Sequence, residues 1–312
     1  MGCEPIIIGE HTKYPLKGRL TLPDGEQIKA GKIPAVVFVH GSGSSNMDEK
    51  VLKLTPFKDL AEGLAKHGIA SVRYDKRSFA HGFKVIREKE PITVKQETIE
   101  DAILAAELLR KDERIDGENI FIVGHSMGGM LAPRIDAEGG NFKGLILLAG
   151  SPRKLEEILA DQTKTLLDGM NPILKFFYGG TLLKLEKKME GMYDVPDEEA
   201  KKKKLGNGTT LYYFKEMGEH DSKDYLRQLK KPILVMQGEK DFQVKVDLDF
   251  GVYQEILRDH PDATFRLYEE LNHCFVPSVY GDIKKSMKEY NVEQHIGEDV
   301  ISDIAQWIWA KA

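Results

Sequence analysis

The stretch IFIVGHSMGGM, residues 120–130, sets four apolar β-formers against a Gly-His-Ser-Met-Gly-Gly cluster. A run of this kind reads as a strand buried on both faces. The cluster after it reads as a sharp turn into a helix. Gly124, Ser126 and Gly128 fit G-x-S-x-G, a pattern that lifts a serine to the end of a sheet when it lies between a strand and a helix. The spacing has a steric cause. A serine on so tight a turn takes strained backbone angles, and side chains at positions 124 and 128 would strike the neighbouring chain. Gly129 lets the helix approach the sheet closely. The turn also aims the helix N-terminus and its free N–H groups at the place where an oxyanion would form. Alone, five residues could equally be a glycine-rich turn with an incidental serine, so the rest of the chain decides.

Working outward, an N-terminal stretch predicts a hairpin, and IPAVVFVHGSGSS (33–45) is a buried-strand run ending in glycines and serines. PFKDLAEGLAKHG (56–68) has helical apolar spacing and a glycine stop, and IASVRYD (69–75) is the next strand. ETIEDAILAAELLRKD (97–112) predicts an amphipathic helix, and MGGMLAPRIDA (127–137) the helix after the opening strand. GLILLAG (144–150), KPILVMQGEKD (231–241) and ATFRLYEELNHCF (263–275) supply further strands, and GEDVISDIAQWIWAKA (297–312) a closing helix. Apolar strands alternating with helices imply a mostly parallel sheet with helices on both faces. The alternation breaks after Gly150 and resumes at 231. The expected organisation is therefore an α/β core in two parts, 1–151 and 231–312, with a mostly helical cap inserted at 152–230.

Bulk properties narrow the function classes. The 312 residues are 41% hydrophobic and 30% charged with a net charge of −5, as expected for a soluble globular protein. A pI near 6.0 argues against a nucleic-acid binder. No apolar run approaches the roughly 20 residues that span a bilayer, and MGCEPIIIGEH lacks the basic start of a signal peptide. Ile6 stands where a myristoylation signal wants Ser or Thr. The expected location is cytoplasmic. Two cysteines, Cys3 and Cys274, make neither a disulfide framework nor a zinc site.

A serine hydroxyl needs a base before it attacks anything. Of nine histidines, His273 follows the last strand, where an α/β sheet presents its functional loops. His125 is adjacent to the serine, but as the second residue of the turn its side chain is expected to point away. His40, at a strand end, reads as a buried support for its loop, and nothing secures a role for His81. The histidine in turn needs an acid to fix its tautomer. Asp241 stands directly after the strand PILVMQG, ahead of its competitors Glu239, which comes too early, and Asp247, which begins the next helix. Ser126, Asp241 and His273 fall in the chain order Ser…Asp…His, at three different strand ends. The loop HGSG (40–43) offers the second half of an oxyanion hole, with Ser42 and Met127 N–H as donors and Gly43 as the substitute for Ser42. A phosphate loop is disfavoured, because no Lys-Ser/Thr ends the cluster and G-x-G-x-x-G is absent. The charges in RYDKRS (73–78) read as an ion-pair cluster holding a loop beneath the site, and Lys201–Lys204 as a solvated face. Tyr212, Tyr213 and Phe214 are candidate substrate contacts, equally explained as core of the inserted segment.

On VVFVHGSG, GHSMGGMLAPRI, GLILLAG, PILVMQGEKDFQV and LNHCF, the chain resembles the α/β-hydrolase superfamily, in particular the bacterial dienelactone-hydrolase-like and serine-aminopeptidase-like group, many of them carboxylesterases. The resemblance is loosest between about 160 and 207. A dienelactone hydrolase would carry a cysteine nucleophile and a haloalkane dehalogenase an aspartate, and Ser126 stands in that place. The expected activity is that of a serine carboxylesterase on small or medium acyl esters, such as acetyl or aromatic-acyl esters of plant material. Amide, peptide or thioester cleavage by the same triad is the enzymatic alternative, and a non-catalytic binding protein of this fold the distant one. No cofactor or metal is expected. The expected partner is a small-molecule ester, with neither nucleic acid nor membrane; a homodimer is compatible with the sequence.

Overall fold

The apolar runs assemble into one eight-stranded sheet in the computed structural model, which describes residues 1–25, 31–88, 91–168, 187–206 and 209–312. The strands are β1 (Gly2–Ile8), β2 (Leu16–Leu22), β3 (Ile33–Val39), β4 (Ala70–Tyr74), β5 (Ile115–His125), β6 (Leu145–Leu148), the short pair β7 (Lys204–Gly206) and β8 (Thr209–Thr210), β9 (Ile233–Gly238) and β10 (Ala263–Tyr268). The sheet order is β1-β2-β4-β3-β5-β6-β9-β10. β2 runs antiparallel to both neighbours, and every pairing from β4 to β10 is parallel. Every residue of β3, β4, β6 and β9 is buried. That explains why these strands carry unbroken apolar runs rather than alternation. Each fully buried Val, Leu or Ile adds roughly 1.5–3 kcal/mol relative to exposure.

The α-helices of six or more residues among the described residues are α1 (Pro56–Lys66), α2 (Arg77–Ile86), α3 (Glu100–Lys111), α4 (Met127–Ile135), α5 (Leu155–Asp168), α6 (Leu211–Glu219), α7 (Ser222–Gln228), α8 (Gly251–Ile256) and α9 (Glu298–Trp309). α1 packs on β4 and against α9, whose Trp307 meets Phe121 of β5 edge-on at 5.9 Å. α3 and α4 pack on β5, and α7 lies along α4. The sequence did not anticipate α2. Its Phe79, Phe83 and Ile86 recur at i, i+4 and i+7, the helical spacing, and they face outward, at 52%, 85% and 49% exposure.

Register brings the strand ends together. Val39 pairs with Gly124, His125 with Leu148, and Leu148 with Met236. The loops leaving β3, β5 and β9 therefore emerge side by side at one end of the sheet, the end where an open parallel sheet places its ligands. Between β6 and β9 the described residues form α5, the β7–β8 ribbon, α6 and α7. Met189, Met192, Ala200 and Leu211 make a small cluster there, separate from the main core. Residues 169–186 and 207–208 of the expected 152–230 insertion lie outside the described residues.

Candidate active site

Ser126 sits between β5 and α4 with φ 53° and ψ −117°, a strained conformation held by its surroundings. Its N–H donates to Leu148 O at 2.8 Å, and its carbonyl accepts from Met130 N–H at 3.1 Å. The flanking glycines are sterically required. A Cβ at Gly124 would lie 2.3 Å from Gly128 O, and one at Gly128 only 2.1 Å from Val39 O. The serine itself is half-buried, and so accessible to a small molecule.

Asp241 and His273 are brought together from two other strand ends. His273 Nδ1 lies 2.7 Å from Asp241 Oδ2. Because a carboxylate only accepts, that nitrogen carries the proton and Nε2 is left as the base. The aspartate is fixed by three further bonds: Gln237 Nε2 donates to Oδ2 at 3.0 Å, and the N–H groups of Gln243 and Val244 donate to Oδ1 at 2.7 and 3.1 Å. The histidine loop is anchored by the buried Glu289, which accepts from Asn272 Nδ2 and Ser278 Oγ, both at 2.8 Å, and from Tyr280 N–H at 2.9 Å. No hydrogen bond joins Ser126 Oγ to His273 in this state.

His125 makes the connection, and here the structure corrects the sequence. Its ring does not turn away from the site. It packs on the His273 ring at 4.8 Å between centroids, and its Nε2 donates to His273 O at 2.9 Å. Its Nδ1 lies 2.9 Å from Glu49 Oε2, an ion-pair contact not aligned as a hydrogen bond. Both ring nitrogens thus face acceptors, surroundings that favour the protonated imidazolium. Burial opposes that charge, but Glu49 and the His273 carbonyl outweigh it and raise His125 above the ordinary histidine value. Glu49 is likewise pulled up by burial, yet His125, His40 and the Gly41 N–H hold it below the usual carboxylate range.

Among the charges of 73–78, Arg73 and Asp75 hold the loop 41–49: Arg73 Nε donates to Asp48 at 2.8 Å and Asp75 accepts from Met47 N–H at 2.9 Å, while Arg77 pairs with the buried Asp101 of α3 at 2.6 Å. Among the described residues neither Ser42 N–H nor Met127 N–H has a protein acceptor.

His40 is 2% exposed, packed on Phe57 and Tyr74, with Nε2 donating to Asn46 O at 3.0 Å. Burial first, with Lys76 adding, pushes its pKa down to about 4. The unfolded chain takes up this proton near pH 6.5 and the folded one does not. Stability present above pH 6.5 is therefore lost as pH falls toward 4, by roughly 3 kcal/mol at this site. Urea unfolding of wild type and His40→Gln at pH 7 and 4.5 checks it. The advantage of wild type over the variant should shrink at the lower pH, and a gap independent of pH would contradict the assignment.

Tyr212 and Phe214 pack on the Met189–Leu211 cluster of the inserted segment, whereas Tyr213 turns to the main core and donates its hydroxyl to Glu97 Oε2 at 2.8 Å. No hydrogen bond or ring contact joins the three to Ser126, Asp241 or His273. His81, on α2, bonds Pro15 O at 2.8 Å. Among the described residues no group of three or more His, Cys, Asp or Glu could hold a metal ion, and no helix is long and apolar enough to cross a membrane. The sequence missed Glu49, Gln237 and Glu289, whose partners lie 4 to 76 positions away with no spacing that would mark them.

The family model described as serine aminopeptidase, S33, matches residues 34–277, a span that includes Ser126, Asp241 and His273. Esterase EstD of Thermotoga maritima is 33% identical over 294 residues, 94% of this chain; the chain spans 65% of that protein's length. Among solved structures, an esterase of Pyrococcus furiosus aligns with a TM-score of 0.60 at 15% identity, covering 99% of this chain and 91% of that one. Est1E from Butyrivibrio proteoclasticus aligns at 0.55 and 15% identity, covering 96% of this chain and 99% of that one. At these identities the structural likeness is one of fold. With the family match running from β3 to beyond His273, the chain belongs to the serine aminopeptidase S33 family of the α/β-hydrolase superfamily.

Proposed function

We propose that the protein is a serine carboxylesterase with Ser126 as nucleophile, His273 as general base and Asp241 as its orienting acid. The observation that carries this is the buried 2.7 Å Asp241–His273 pair, delivered beside a strained serine turn by His125. His273 Nε2 takes the proton of Ser126 Oγ as the oxygen attacks the ester carbonyl. The N–H groups of Ser42 and Met127 hold the tetrahedral oxyanion. Collapse expels the alcohol, which His273 protonates, leaving an acyl-serine that a water activated by His273 hydrolyses to the acid. The described part of the inserted segment, 152–168, 187–206 and 209–230, is read as a cap over this end of the sheet that limits the acyl or alcohol group to small or medium size. The name of the Thermotoga relative favours ester over amide substrates.

A second reading, aminopeptidase, is favoured by the description of the matched family. The same acyl-transfer geometry would serve both. A panel of p-nitrophenyl esters of graded chain length, run beside aminoacyl anilides, separates them. Turnover of the short esters with at least tenfold lower kcat/KM on every anilide is expected, and turnover of anilides alone would defeat the esterase proposal.

A further inference from the structure

The two peptide planes that meet at Gly41 are each held by a buried ionisable side chain. The Gly41 N–H donates to Glu49 Oε1 at 2.6 Å, and the Gly41 carbonyl accepts from Lys76 Nζ at 2.9 Å. Glu49 is 5% exposed and Lys76 only 2%. A Cβ placed on Gly41 would lie 3.1 Å from Ser126 Cβ, so this piece of backbone rests against the serine. In a trans peptide the C=O of residue 41 and the N–H of residue 42 share one plane and point in opposite directions. An ammonium group gripping Gly41 O therefore fixes where Ser42 N–H points. Glu49 fixes the preceding plane in the same way, and its other oxygen meets His125, which seats His273.

We propose that Lys76 and Glu49 are positioning residues that aim Ser42 N–H at the developing oxyanion, Lys76 through the Gly41 carbonyl and Glu49 through the Gly41 N–H. The proposal rests on the serine-esterase reading of Ser126 and Ser42. Three physical points favour it over a plain loop staple. Hydrogen bonds to ionised partners are about twice as strong as neutral ones, so they suit a donor whose direction must not wander. Lys76 also polarises the Gly41–Ser42 peptide, which strengthens Ser42 N–H as a donor. The grip is itself supported: Lys76 N–H donates to Ser45 O at 3.0 Å, and Lys76 Nζ lies 3.9 Å from Glu97 Oε2, which accepts the Tyr213 hydroxyl. The inserted segment is thereby linked to the oxyanion loop through Tyr213, Glu97 and Lys76.

An oxyanion donor acts in the transition state, so its misalignment lowers kcat and leaves KM nearly unchanged. The test uses p-nitrophenyl acetate kinetics together with a trifluoromethyl ketone. As His273 Nε2 takes the serine proton, addition of Ser126 Oγ to the ketone carbon moves the carbonyl electron pair onto oxygen, giving a tetrahedral oxyanion. Fluorophosphonate labelling of wild type at Ser126 is measured first; its failure would defeat the serine mechanism itself, separately from this proposal. Lys76→Met should lower kcat by about 10²-fold, keep KM within about twofold, and weaken the ketone by the same factor as kcat. Lys76→Gln, which keeps an N–H donor, should recover roughly tenfold of that loss, and Glu49→Gln should lose about tenfold in kcat. If Lys76→Met does not fold, the other two variants decide. Folded variants with wild-type kcat, a loss in KM alone, or a kcat loss without a matching loss of ketone affinity would overturn the proposal.

Discussion

Ser126→Ala is expected to lower kcat on a p-nitrophenyl ester by about 10⁶-fold, by analogy with nucleophile removal in subtilisin. That corresponds to roughly 8 kcal/mol of transition-state stabilisation. The backbone should survive the change. Ser126 is held at φ 53° by Leu148 O and by the packing of positions 124 and 128, and alanine has the same Cβ in the same conformation. The thermal midpoint should therefore move by only a few degrees, as for a surface-accessible change of about 1 kcal/mol or less. A residual rate about 10³-fold above water is expected, because the Ser42 and Met127 donors and substrate binding remain. Initial rates at enzyme concentrations high enough to see that residue, with loss of fluorophosphonate labelling, check the expectation. A folded variant that kept more than a hundredth of the activity would remove Ser126 from the chemistry.

The serine was readable in the sequence because its constraints are local. Buried parallel strands must be apolar on both faces, so 120–123 stands out, and the glycines are forced by contacts within five residues and with β3. Asp241 and His273 were readable for a related reason: they come three and five residues after β9 and β10, strands whose ends register fixes. What lay hidden was the packing that joins these loops. Glu49 reaches Gly41 and His125, and Lys76 reaches back 35 positions to a single carbonyl. Such partners are set by tertiary geometry, and a charge in a loop looks the same in sequence whether it is solvated or buried. His125 was misjudged because the turn rule gives the direction of a side chain only relative to the serine. The ring's surroundings depend on where the His273 loop returns. Helix α2 was legible in principle, since Phe79, Phe83 and Ile86 recur at helical spacing; what the sequence hides is that this stripe faces outward. Tyr212, Tyr213 and Phe214 show the limit most plainly. Three adjacent aromatics divide between two different clusters, and composition alone carries no sign of that division.

Asp241→Asn is expected to cost about 10⁴ in kcat with KM little changed, by analogy with the corresponding change in a serine protease. The reason here is that all four hydrogen bonds to Asp241 come from donors. Oδ2 receives His273 Nδ1–H and Gln237 Nε2–H, and Oδ1 receives the N–H groups of Gln243 and Val244. An asparagine must turn its NH₂ toward one of these pairs. If it faces His273, the imidazole is driven to the other tautomer, its proton sits on Nε2, and it can no longer act as base; Gln237 Nε2 loses this acceptor too but keeps Val244 O. If it faces Gln243 and Val244, the tautomer survives, but two backbone donors lose their acceptor, the buried Val244 N–H at a cost of about 1–3 kcal/mol and the part-buried Gln243 N–H at less. The imidazolium formed during attack also loses its counter-charge in either case. The two orientations make separable predictions. The first gives inactive but stable protein, and the second gives partial activity with a lowered unfolding midpoint. The backbone pair favours the first, so kcat should collapse while urea unfolding stays within about 1 kcal/mol of wild type. A loss of less than tenfold in kcat would mean that His273 does not depend on Asp241 for its tautomer, and Glu239 or Asp247 would have to be examined as the acid.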